Sequence, residues 1–218
     1  MGRVIIIVGN SGVGKTTLAR ALSEVGSFAT GLEEPGEHPF QELFSKDLQR
    51  YSLANQVDYL LYRAEQEQAI RASGRTGLLD GGLEMDYYVF TRLFRERGYL
   101  AEEECHLCDR LYALFRVLLP FPDAVIRLTA PLEVIAERYT RRGRILDIAE
   151  LKDLARIESL IDEWLAGIGS TPIIVVDASQ DDFCSEAKLE ALLQDLIEVL
   201  KIEGIDGLHG PRDVAQGG

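Results

Sequence analysis

Residues Gly9-Asn10-Ser11-Gly12-Val13-Gly14-Lys15-Thr16 set three glycines, a lysine and a hydroxyl within eight positions. Glycines let backbone N–H groups turn inward around phosphate oxygens, and a helix starting beside them adds the positive end of its dipole. A lysine in this place reaches the β- and γ-phosphates, and the hydroxyl after it can ligate Mg²⁺. The run Val4 to Val8 ahead of the glycines is apolar and β-branched. The residues behind them, Leu18, Ala21, Leu22 and Val25, recur at helical spacing. Strand, glycine loop and helix are the setting that a phosphate-binding P-loop requires. Gly9 to Thr16, with Thr17, are therefore expected to bind ATP or GTP.

A second group is Arg138-Tyr139-Thr140-Arg141-Arg142-Gly143-Arg144, four arginines in seven residues. Guanidiniums on a helix-to-loop segment can close over a transferring phosphoryl group and neutralise the charge that develops there. Alone, such a run has a solvated basic face as its lesser alternative reading. Beside a P-loop, a lid over about 138–147 is the expectation.

The two groups stand out against the rest of the chain. It has 218 residues, 23 Lys+Arg, 36 Asp+Glu and a formal charge of −13. That balance excludes a general binder of nucleic acid or anionic membranes, which needs a basic face. With 46% hydrophobic residues there is material for a core, which argues against disorder. Three cysteines, Cys105, Cys108 and Cys184, make no disulfide framework and suit a reducing compartment. The start Met1-Gly2-Arg3 runs into an apolar stretch too short for a signal segment. A cytoplasmic protein is expected.

The elements that must position these residues alternate. Strands are expected at Val4–Val8, near Phe28–Gly31, at Gly77–Asp80, at Ala124–Leu128 and at Ile173–Val176. Helices are expected at Thr16–Val25, at Gln41–Ala72 with a break near Ser45, and at Asp86–Arg97. Others are expected at Glu102–Leu118, Leu132–Arg141, Ile148–Leu165 and Glu186–Lys201. Alternation of this kind means a parallel sheet covered on both faces. The expected fold is a three-layer α/β P-loop NTPase fold, with a five-stranded parallel sheet flanked by helices and an Arg-rich lid. Residues 1–204 form one domain, and 205–218, lacking periodicity, a mobile tail.

In these motifs the chain resembles the deoxyribonucleoside kinase family, especially its bacterial purine-nucleoside members, from the P-loop to about Phe183. The family's Glu-Pro after strand two falls at Glu34-Pro35, and its helix with a base-reading Gln and an Arg seven residues on falls at Gln56 and Arg63. Its acidic residue after strand three is Asp80, the Asp six beyond is Asp86, and its lid arginines match Arg138, Arg142 and Arg144. Asp147 stands where an acidic residue meets the sugar 3′-hydroxyl. The Asp-Phe after strand five recurs as Asp182-Phe183.

The resemblance implies transfer of the ATP γ-phosphoryl to a nucleoside 5′-hydroxyl. Glu34 would be the base, Lys15 and Arg142 would act on the phosphoryl group, and Asp80 with Thr16 would serve Mg²⁺. It also implies a homodimer. The chemistry is sensible at each place. A carboxylate at Glu34 can take the hydroxyl proton, and the Gln56 amide offers donor and acceptor to a base edge. Arg63 and Asp86 fit either a charged pair holding a second edge or a structural salt bridge.

There are departures. The family's Arg-Ser after the acidic residue is Gly81-Gly82 here, Ser45 replaces a Tyr ahead of the Gln, and Asp147 is shorter than the usual Glu. Glu33, Glu34, Asp80, Glu84 and Asp86 would crowd the acceptor side with carboxylates, which ranks a phosphorylated acceptor below a neutral nucleoside. A kinase of another neutral or cationic alcohol, a nucleoside monophosphate kinase, and an ATP-binding protein with little transferase activity stay open. Cys105-His106-Leu107-Cys108 has no second cysteine pair, so a helix is expected there rather than a zinc site.

Overall fold

The structure, a computed structural model, describes residues 1–32, 38–142 and 151–201, the side chain of Arg142 excepted. Glu33, Glu34, Arg144, Asp147 and the 205–218 tail lie outside the described residues, as does the Arg142 side chain.

Strand β1 (Val4–Val8) is five consecutive branched aliphatics, and all five are fully buried. Such a run needs apolar layers on both sides, the condition met in a parallel sheet. β1 pairs in parallel with β3 (Gly77–Asp80) on one side and β4 (Ala124–Thr129) on the other. Outside these lie β2 (Ala29–Gly31) and β5 (Ile173–Asp177), giving the order β2-β3-β1-β4-β5.

The alternation of β1 divides the core. Ile5 and Ile7 join Leu18 and Leu22 of α1 (Lys15–Val25) and Leu189, Leu193 and Leu196 of α9 (Glu186–Leu200). Val4, Ile6 and Val8 join Ile157, Leu160 and Trp164 of α8 (Leu154–Ala166) and Met85 and Val89 beyond β3. Helices on both faces of the parallel sheet make three layers, as expected from the sequence.

The helical stretch expected over Gln41–Ala72 with a break near Ser45 is α2 (Pro39–Lys46) and α3 (Leu48–Ser73). The break falls at Asp47, whose extended backbone and side chain, accepting from Arg50 N at 3.1 Å, cap α3. After β3 a short turn, α4 (Gly82–Glu84), runs into a π-helical stretch, Met85–Thr91, and then α5 (Arg92–Glu96). α6 (Glu102–Leu118) and α7 (Leu132–Arg142) complete the helical layers. The Cys105–Cys108 segment is part of α6. Both cysteines are buried, and burial pushes the Cys108 thiol up to about 12.

Candidate active site

The glycine loop leaves the carboxyl end of β1, at the centre of the sheet, and enters α1 at Lys15. Gly14 has φ +115°, and a Cβ there would stand 2.6 Å from Phe183 Cζ. Both facts reserve the position for glycine. The Lys15 ammonium is folded back over the loop, donating to Gly9 O at 3.0 Å and Asn10 O at 3.1 Å. A cavity of about 290 Å³ opens over it, lined by Gly12, Gly14, Lys15, Thr16, Thr17, Arg138 and Arg141. Its charged lining is wholly cationic in a chain of charge −13, and it includes Arg138 and Arg141 of the arginine run.

Arg138 reaches the cavity from α7 while its guanidinium donates to Ala178 O at 2.5 Å and to Asp181 Oδ1 at 2.9 Å, over the Phe183 ring. Arg141, on the same helix, also lines the cavity; it belongs to the arginine run, though the family's lid arginines match Arg138, Arg142 and Arg144 and not it. The three-residue spacing from Arg138, about 300° of helix rotation, is the signal that puts both on one face.

Register fixes the acidic partner. Asp80 lies opposite Ile7, so its carboxylate emerges beside the loop, and Gly81 N donates to Ile7 O at 2.9 Å. Thr16 Oγ1 donates to Asp80 Oδ2 at 2.5 Å. A hydroxyl and a carboxylate in contact at the phosphate site are hard oxygen donors of the kind Mg²⁺ takes from a protein while phosphates and water fill the rest. Among the described residues, no group of three or more His, Cys, Asp or Glu side chains could hold a metal without such help.

Asn10 is fully buried. Its Nδ2 donates to Leu154 O and to Glu158 Oε2, both at 2.8 Å, and its Oδ1 accepts from Ser11 N at 2.9 Å. Glu158 is shared with Arg127 of β4, which also pairs with Asp162 at 3.2 Å. The loop is thereby fastened to α8.

The acceptor half is built on α3. Gln56, Tyr59 and Arg63 recur at three- and four-residue steps on its buried side. Gln56 Nε2 donates to Asp86 O at 2.6 Å and Arg63 Nε to Asp86 Oδ2 at 3.1 Å, so the three residues expected to act together do meet. Arg63 Nη1 donates to Gln66 Oε1 at 3.1 Å, and Gln66 Nε2 and Tyr62 Oη both donate to Leu32 O at 3.2 Å. Leu32 ends the described chain just before the Glu34 segment. His38, just after that segment, stacks on Tyr59 with centroids 3.8 Å apart and shares Nδ1 with Asp58 Oδ2 at 3.0 Å. His38, Gln66 and Asn10's anchoring role were not singled out from sequence. Gln66 was in reach, three residues beyond Arg63 on the same helix; an isolated His38 carried no such signal.

Glu84 is not on the acceptor side. It is buried between α3 and α6, with Oε1 3.1 Å from Arg116 Nε, while Arg116 also pairs with Glu67 at 2.7 Å. Burial, opposed by Arg116 and reinforced by Glu67, pushes its carboxyl up to about 7. The expected carboxylate crowd thus loses one member to a structural cluster.

A P-loop at the middle of a five-stranded parallel sheet, with a cationic cavity above it and a polar helix face across from it, defines a P-loop phosphotransferase of small molecules. The sequence matches the deoxynucleoside kinase family over residues 5–201. The chain belongs to that family. It is 24% identical to the deoxyadenosine/deoxycytidine kinase of Bacillus subtilis over 201 residues, 90% of this chain and 93% of the relative. It is 29% identical to the deoxyadenosine kinase of Dictyostelium discoideum over 194 residues, 88% and 78% of the two chains. The solved structure of deoxyadenosine kinase from M. mycoides, with products dCMP and a flexible dCDP bound, superposes with a TM-score of 0.74 at 22% identity. The overlap covers 89% of this chain and 99% of that one. No helix among the described residues is long and apolar enough to cross a membrane.

Proposed function

We propose that the chain transfers the γ-phosphoryl group of ATP to the 5′-hydroxyl of a deoxynucleoside. The observation that carries this is the meeting of Gln56, Arg63 and Asp86 in a buried polar cluster. It is built on a helix separate from the phosphate loop, as an acceptor site must be. The hydroxyl oxygen bonds to the γ-phosphorus as the bond to the β-phosphate oxygen breaks. Glu34 takes the hydroxyl proton, and ADP leaves.

Gly9 to Thr17 cradle the donor phosphates, Lys15 neutralises their charge, and Arg138, Arg142 and Arg144 offset the charge of the moving group, with Arg141 of the cavity lining as a further cation. Thr16 and Asp80 would hold Mg²⁺, which when bound shields charge between the β- and γ-phosphates. Gln56, Arg63 and Asp86 take the base and Asp147 the sugar 3′-hydroxyl. Catalysis of this kind is positioning and electrostatics. Leu107, Leu114, Val117 and Leu118 leave exposed apolar surface on α6 that suits a homodimer. The protein works in the cytoplasm.

The test is acceptor-dependent ADP release across deoxynucleosides, ribonucleosides, nucleoside monophosphates and unrelated alcohols. Deoxynucleosides are expected to lead, and Glu34→Gln to lower turnover about 10²- to 10⁴-fold, the usual worth of a positioned base. Tight ATP binding with no acceptor-dependent release would overturn the proposal. Full activity in Glu34→Gln would remove Glu34 as the base.

A further inference from the structure

α3 carries two neighbouring rows of side chains. Gln56 and Arg63 belong to the row that meets Asp86. Asp58, Tyr62 and Gln66, each four residues from the last, form the other. This second row holds the chain on both sides of the Glu34 segment. Ahead of it, Tyr62 Oη and Gln66 Nε2 both donate to Leu32 O, each at 3.2 Å. Behind it, His38 Nδ1 lies 3.0 Å from Asp58 Oδ2, and the His38 and Tyr62 rings meet edge to face with centroids 4.6 Å apart.

Gln66 joins the two rows, and its amide can stand only one way. Arg63 Nη1 donates to Gln66 Oε1 at 3.1 Å, and a guanidinium has only donors to offer. The NH₂ group is therefore the one that faces Leu32 O, which only accepts. Turning the amide over would break both bonds at once. A run of bonds thus leads from Asp86 Oδ2 through the Arg63 guanidinium and the Gln66 amide to the Leu32 carbonyl, with every donor facing an acceptor. Gly31 lets the amide lie so close to the end of β2. A Cβ there would stand 3.3 Å from both Cβ and Cδ of Gln66 and 2.3 Å from Leu79 Cδ2.

We infer that Gln66 is a positioning residue for phosphoryl transfer: it ties the Leu32 carbonyl, two residues ahead of Glu34, to the arginine of the acceptor cluster. The inference rests on the proposal that Glu34 takes the hydroxyl proton. Gln66 touches no reacting atom. It fixes the point from which the chain sets out toward Glu34, relative to the residues that hold the acceptor. A base gives its full rate factor only when it stands within hydrogen-bond reach of the proton it takes. Tyr62 shares the same carbonyl, so the attachment weakens rather than vanishes when Gln66 is lost.

The experiment measures kcat and acceptor KM separately, with ATP, Mg²⁺ and the deoxynucleoside that leads the screen above. The full chain is assayed as wild type, Gln66→Leu, Gln66→Glu and Glu34→Gln, and with each Gln66 change combined with Glu34→Gln. Gln66→Leu should lower kcat about tenfold, since a reacting group misplaced by about 1 Å can cost about 10²-fold. Acceptor KM should move much less. Gln66→Glu keeps an acceptor for Arg63 but sets an oxygen against Leu32 O, so it should lose as much, and it replaces the leucine variant if leucine does not fold. In the Glu34→Gln background either change should cost less than about twofold, because residues that act as a unit are not additive. The same tenfold loss in that background would show that Gln66 acts apart from the base and overturn the inference. A raised KM with kcat unchanged would overturn it too, as would wild-type kcat in Gln66→Glu. Full activity in Glu34→Gln would sink the base assignment itself, and this inference with it, whatever the Gln66 variants do.

Discussion

The Asn10 amide nitrogen lies 2.8 Å from the Glu158 carboxylate, so a side chain of the phosphate loop is fastened to the helix that follows the arginine-rich segment. The same amide holds Leu154 O and, through its oxygen, Ser11 N. Asn10 therefore serves the shape of the loop.

Asn10→Ala should leave the Leu154 carbonyl and one face of Glu158 without a partner. A loss of about 2–3 kcal/mol is expected, or about 5–10 °C in Tm for a chain of this size. ATP affinity should fall as well, so the gap between wild type and variant should widen when melting is repeated with saturating ATP. A constant gap would confine Asn10 to the fold.

Arg63 and Asp86 give a second test. Their side chains are 6% and 9% exposed. Removing one partner strands a buried charge, so Arg63→Met or Asp86→Leu alone should cost about 3–5 kcal/mol. The double variant should cost less than the sum of the two. A double-mutant cycle by denaturant unfolding measures the coupling, and strictly additive losses would contradict the pair.

Glu84 makes stability depend on pH. Its carboxyl is raised from the ordinary 4.5 to about 7, chiefly by burial, against Arg116 and with Glu67 and Arg71 close by. The folded state therefore holds the proton more tightly than the unfolded chain does. This contribution is fully present below about pH 4.5, is lost as pH rises to 7, and stays lost above. Glu84→Gln removes the dependence. Relative to wild type it should gain up to about 3 kcal/mol between pH 5 and pH 8. An unchanged difference across that range would show that Glu84 is ionised throughout.

The two glycines after Asp80 set a limit on restoring the family's arginine. Gly81 has φ +86° and ψ −53°, and a Cβ there meets nothing nearer than Met85 Cβ at 3.6 Å. Gly81→Arg thus has room but a strained backbone, at about 1–3 kcal/mol. Gly82 has φ +67° and its Cβ would lie 2.8 Å from Ile6 Cγ2, so Gly82→Ser should cost more. Gly81→Arg is still expected to raise deoxynucleoside phosphorylation per folded molecule. Unchanged or lower turnover in folded protein would count against the arginine's supposed role.

Much of the fold could be read from the sequence because its signals were local. A five-residue aliphatic run, a glycine loop and an apolar period of 3.6 place β1, the loop and α1 without reference to anything distant. Asp80 was placed correctly for the same reason, as the last residue of a short strand. The acceptor cluster depended on likeness to a family, since nothing local to Gln56 says that it will find the carbonyl of Asp86 thirty residues away. The π-helix was not legible. Met85 to Thr91 carries ordinary helical spacing, and only the packing of α3 against it reveals which carbonyl Gln56 meets. Glu84 was misplaced because a carboxylate near a strand end looks like a site residue until Arg116, thirty-two residues on, is seen to claim it.

The burial of β1 on both faces has a consequence for measurement. Amides in a strand with no exposed residue exchange with solvent water only when the whole domain opens, so Val4 to Val8 form a clock for global unfolding. The phosphate loop begins at the very next residue, and a nucleotide bound there stabilises the folded state by mass action. The slowest protons in the molecule should therefore slow further with each increment of ATP, in proportion to occupancy. The strand would then report the ligand's affinity without touching it.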